Sequence, residues 1–141
     1  MTDHVDSLKS LHTALVDSRN GYEEALEDAE GKGLTPLFRD MIALRNKHAA
    51  EIAEHLRALG EKVDNEGSFM STVHRTVISI RSVLTGLDDS ILPGLIDGEE
   101  RIIGYYDEAI AESPEYDTLV RQREAVSAKV AEMRARNERA A

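Results

Sequence analysis

Cysteine is absent from the chain. That excludes disulfides, thiol nucleophiles and thiolate-rich zinc or iron–sulfur sites. Tryptophan is absent too, and only 2 Phe and 4 Tyr occur in 141 residues. The core must therefore come from Leu, Ile, Val and Ala, which favours helix-on-helix packing over a β-sandwich. No apolar run approaches the roughly 20 residues of a membrane span. Basic residues are in deficit, 17 against 27 acidic, for a net charge of −10. Such a chain repels phosphate backbones and anionic lipid surfaces, so neither nucleic acid nor membrane is expected as a partner. The opening "MTDHVDSLKS" has no basic stretch followed by an apolar one. No secretory signal is visible there, and a cytoplasmic location is expected.

What is present is helical periodicity between few, well-marked breaks. "EGKGLTP", "LGEKVDNEGS", "TGLDDS" and "AESPEY" interrupt the apolar stripes. Thr35-Pro36 and Ser113-Pro114 each read as an N-cap followed by proline in the first helical position, and Gly60 as a C-terminal cap residue. Five helical segments are predicted, at about 3–29, 35–59, 68–85, 89–112 and 114–139. Steps of three and four place Val5, Leu8, Leu15, Tyr22 and Leu26 on one face of the first segment, and Phe38, Met41, Ile52, Leu56 and Leu59 on one face of the second. The last two carry Leu92, Leu95, Ile102, Tyr106 and Ala109, then Leu119, Val126, Val130 and Met133. Long helices with narrow stripes pack as a near-parallel bundle.

A faint repeat orders the segments. "GYEEAL" (21–26) resembles "YYDEAI" (105–110), and "AAEIAEHLRA" (49–58) resembles "SAKVAEMRA" (127–135). Two copies of one helical hairpin, joined by the 68–85 segment as a crossover, give an all-α, ferritin-like four-helix bundle with one additional helix. One domain over residues 1–141 is expected. The crossover is more apolar than one groove requires, and Ile78 or Val83 on a second face would bring two copies together as a homodimer.

The segments "NGYEEAL" (20–26), "LRNKHAAEIAEHLRALG" (44–60), "HRTVISIRSVLTGLDDSIL" (74–92) and "DGEERIIGYYDEAI" (97–110), in that order and spacing, resemble a bacterial ferritin-like family of unknown function. The resemblance covers nearly the whole chain and implies a fold but no reaction. It also implies a test. Di-metal sites of the ferritin-like superfamily use a Glu from each of two helices and Glu-x-x-His from each of the other two. The spacing works because residues three apart share a helix face.

This chain departs from that pattern. The matching tetrapeptide on the second segment is Arg45-Asn46-Lys47-His48, with arginine where the carboxylate belongs. A guanidinium has no lone pair for a metal. No histidine follows His74, so the last segment offers no second pair around Arg123. The first segment has Leu15 in mid-stripe, with His12 and Arg19 a turn to either side. Only His48 and Glu99 remain of the expected ligands.

The expected replacement is a polar core network of Arg19, Arg45, His48, Glu99 and Arg123, in which arginine compensates a carboxylate that is costly to bury alone. The function read from this is a non-catalytic protein, structural or interaction-based, with no cofactor. The alternative is a metal-binding protein holding one transition-metal ion with ligands from His12, His48, Glu51, His55 and Glu99, complete in one chain or shared across a dimer interface. His4 and His74 read as surface residues, and Tyr22 and Tyr106 as core-edge residues whose hydroxyls reach water or a carboxylate. Adjacent acids such as Glu23-Glu24 and Glu99-Glu100 point about 100° apart and cannot form a facing dyad.

Overall fold

The computed structural model describes residues 2–29, 33–63 and 91–140. The predicted crossover helix at 68–85, with Ile78 and Val83, lies outside the described residues. Four α-helices are described: α1 Thr2–Ala29, α2 Thr35–Ala58, α3 Leu92–Glu112 and α4 Asp117–Ala140. No strand occurs among the described residues. The fold class is all-α, and the helices, 21 to 28 residues each, have the length that four-helix bundles use. No described helix is long and apolar enough to cross a membrane.

The helix ends follow local chemistry, with two corrections. α2 ends on a Schellman motif. Gly60 adopts φ 86°, its N–H donates to the Arg57 carbonyl, and the Glu61 N–H donates to the Leu56 carbonyl. A side chain at position 60 would strain that left-handed backbone. At the start of α2 the cap is Leu34 rather than Thr35, and its side chain makes no capping bond. Leu34 is buried, and its carbonyl accepts the first helical bond from the Phe38 N–H at 3.0 Å. Burial of the leucine therefore shifts the cap one residue earlier than the Thr-Pro signal suggests.

Ser113 does not open α4; it closes α3, with its N–H donating to the Ala109 carbonyl at 2.9 Å. Pro114 pushes the residue before it out of helical backbone. A turn follows, in which the Tyr116 N–H donates to the Ser113 carbonyl, and α4 starts at Asp117.

The chain divides into two compact units. The first comprises Met1–Leu11 and Asp89–Ala141, the second His12–Asp88. α1 is continuous and contributes to both. In the first unit Leu8 and Leu11 are buried, as are Leu92, Leu95, Ile102, Tyr106 and Ala109 of α3 and Leu119, Val126, Val130 and Met133 of α4. α3 and α4 pack on one another. In the second unit Leu15, Val16, Tyr22, Phe38, Met41, Ile52 and Leu56 are buried. Tyr22 meets Phe38 edge-on, with ring centroids 5.2 Å apart. That geometry contributes about 0.5–1.5 kcal/mol beyond area burial. Leu59 is an exception to its predicted stripe. It is exposed because the helix ends there and the Schellman turn carries the chain away.

Candidate functional site

The stripe of α2 runs Phe38, Met41, Arg45, His48 and Ala49, Ile52, Leu56, all buried. Steps of three and four leave two chargeable groups inside an apolar row. The Arg45 side chain is fully enclosed, at 0% exposure, and His48 one turn later is 2% exposed. The Arg45 Nε–H donates to the Ser18 hydroxyl of α1 at 3.2 Å. His12, also on α1, is buried in the same unit. The second unit thus encloses ionisable groups from both of its described helices.

Of the other two arginines expected in the polar network, Arg19 sits at the edge of the core and Arg123 lies outside it. Arg19 is half-buried. Its guanidinium donates to Asn20 Oδ1 from Nε at 3.2 Å and from Nη2 at 3.0 Å, and to Asn46 Oδ1 from Nη1 at 3.4 Å. The Glu23 carboxylate is 4.0 Å away. The long stem lies along the stripe and carries the charge out to polar groups at its edge. The Arg123 side chain is 38% exposed, and its Nε–H donates to Asp107 Oδ1 at 2.6 Å. Its neighbour Gln122 takes the interior position, and one residue of helix turns Arg123 about 100° away.

Glu99 lies in the first unit, on α3, and is 2% exposed. Glu51 and His55 are half-buried. Among the described residues no group of three or more His, Cys, Asp and Glu side chains is arranged to hold a metal ion. At the position where the ferritin-like resemblance calls for a carboxylate the chain carries Arg45, whose guanidinium has no lone pair to offer a metal.

Four further polar residues are buried or bonded to a buried side chain. Ser18 is the hydroxyl that receives Arg45. Gln122, fully buried, accepts the Tyr106 hydroxyl at 2.7 Å through Oε1. Tyr106 is accordingly an interior residue bonded to an amide, not a core-edge residue reaching for water. Ser113 is buried and hydrogen-bonded through Oγ to His4 Nδ1, so His4 is a tether for the start of α1 and not a free surface residue.

The fourth is Asp17, 6% exposed, with no hydrogen-bond partner for Oδ1. Burial raises its pKa from 3.8 to about 6. At 100° per residue Asp17 points about 160° away from Leu15, so the apolar stripe assigns it to water. Val16, an apolar β-branched residue off the stripe, was the available sign that α1 is buried on a second face. Gln122 had a sign as well, since it sits between Leu119 and Val126 in the stripe of α4.

Residues 3–112 match the family model described as a domain of unknown function, DUF2383. The match ends with the last residue of α3, so α4 lies beyond it. No curated protein matches the chain, and no solved structure matches it.

Proposed function

Since the chain belongs to the DUF2383 family, whose function is unknown, we propose that it is a non-catalytic helical protein of ferritin-like build. In this reading a polar core stands where members of that superfamily hold metal, and the protein takes no cofactor. The observation that carries it is Arg45, completely enclosed at the position where the resemblance calls for a carboxylate. A guanidinium stays cationic at every physiological pH and offers donors only. Placed one helical turn before His48, it repels a divalent ion from the histidine that would begin a site. The buried guanidinium supplies donors to the core instead, with the Ser18 hydroxyl as one acceptor.

A metal-binding protein, using His12, His48, Glu51, His55 or Glu99, is the reading this one must displace. The full chain should be produced in medium supplemented with iron, zinc, copper and manganese and its metal content measured. The expected result is metal far below one ion per chain. Stoichiometric metal that is lost on His48→Ala overturns the proposal. Homodimer formation is part of the same proposal and is read by light scattering on the same sample.

A further inference from the structure

Asp17 has no part in the reading above. It lies on α1 in the second unit, more than nine-tenths buried, and its Oδ1 has no hydrogen-bond partner. On its own helix, positions one turn away are Thr13, Ala14, Asn20 and Gly21, so no cation stands at the usual spacing. The charged and titratable groups that α1 and α2 bury with it in this unit are His12, Arg45 and His48, with Arg19 half-buried. Arg45 of α2 donates to Ser18, and Arg19 of α1 donates to Asn20 and Asn46. Among the described residues no ion pair reaches the Asp17 carboxyl, and burial alone perturbs it. An enclosed carboxyl that no described cation pairs with is held more cheaply as the neutral acid.

We propose that Asp17 is a proton-operated latch. The second unit packs around its neutral carboxyl and loosens around α1 when the proton is lost to solvent. The group's pKa of about 6 sets the window, because it is charged in the folded protein at neutral pH and neutral in mild acid. A protein with 27 acidic residues would ordinarily be loosened by acid as its carboxylates lose their pairs. Asp17 works in the opposite sense.

The direct test is a carbon-13 NMR titration of the aspartate carboxyls in the full wild-type chain. The Asp17 resonance should titrate with a midpoint near 6, and a midpoint near 4 overturns the proposal. The second test compares urea midpoints of wild type and Asp17→Asn at pH 4 and pH 7. The neutral amide removes the charge but keeps the shape. The variant should lie close to wild type at pH 4 and above it at pH 7. An offset that is the same at both values, or a variant less stable at pH 7, overturns the proposal. Should the variant fail to fold, the titration still decides, since it needs the wild-type chain only.

Discussion

The two units bury polar chemistry in different ways. In the first, the Tyr106 hydroxyl closes on Gln122, His4 closes on Ser113, and the arginines of α4 at positions 123 and 134 keep to the surface, each on an acid of α3. Glu99 is the acid this unit encloses among its described residues. In the second, Arg45, His48, His12 and Asp17 are all inside. One helix serves both. Up to Leu11, α1 supplies apolar residues and a tether; from His12 it supplies ionisable groups, with no break in its backbone. Buried charge is costly unless it is compensated, and uncompensated charge is a source of pH dependence rather than of stability. The first unit, with Glu99 as its enclosed acid among the described residues, should therefore depend on charge less than the second.

The sharpest way to break this contrast is Arg45→Ala. Truncating a large, fully enclosed side chain to alanine costs about 3–5 kcal/mol, since the space it filled stays behind as a cavity. Arg45→Met should cost much less than the alanine change, because volume is retained. Urea denaturation of both variants is the measurement. A loss below about 1 kcal/mol for the alanine variant would show that the enclosed guanidinium does not hold the second unit together. Equal losses for the two variants would assign its contribution to charge and hydrogen bonding, with none left for packing.

Asp17 comes next in size and has a defined sign. Its folded pKa of about 6 exceeds the ordinary 3.8. The unfolded chain therefore releases this proton first as pH rises. The residue's contribution is intact below about pH 3.8, falls as pH climbs, and is fully lost above about 6. Asp17→Asn should thus gain about 1–2 kcal/mol at pH 7, a range set below the full linkage value because the site is not wholly dry. A flat difference between variant and wild type across that window would remove the contrast between the two units.

How far these contrasts could be read in advance depends on what a stripe can show. The apolar rows of α3 and α4 were fully legible, because each residue at stripe spacing is buried and each helix meets its partner on one face. Arg45 and His48 were legible for the same reason, being polar residues inside an apolar row. Arg19 and Arg123 were not. Stripe position fixes where Cβ points, whereas a long side chain decides for itself where its charge comes to rest. Asp17 was hidden by the assumption of one buried face per helix. Ser113 was misread because Ser-Pro serves equally to end one helix and to start another, and only the backbone bond to Ala109 distinguishes the two.

A smaller effect tests the first unit from inside. Tyr106→Phe removes the donor that Gln122 Oε1 accepts, with both side chains fully buried. The expected loss is about 1–2 kcal/mol, the cost of a buried acceptor deprived of that bond while the ring packing is unchanged. Chemical denaturation should show it equally at pH 5.5 and pH 8, since the lost bond joins a hydroxyl to an amide. A pH-dependent loss would mean that the first unit too is governed by charge.

The smallest expected effect lies at the surface of the same unit. Arg134 Nη2 donates to Glu100 Oε1 at 2.7 Å, and both side chains are about half exposed, at 53% and 50%. Water screens such a pair, and two long side chains lose rotamer freedom to form it. Arg134→Ala should therefore cost no more than about 1 kcal/mol, and 1 M salt should abolish most of even that, because the screening length falls to about 3 Å. The short distance alone would suggest a stronger bond, so this variant separates geometry from environment. If Arg134→Ala rivals Arg45→Ala in cost, enclosure is not what distinguishes the two arginines, and the contrast between the units fails at its physical root.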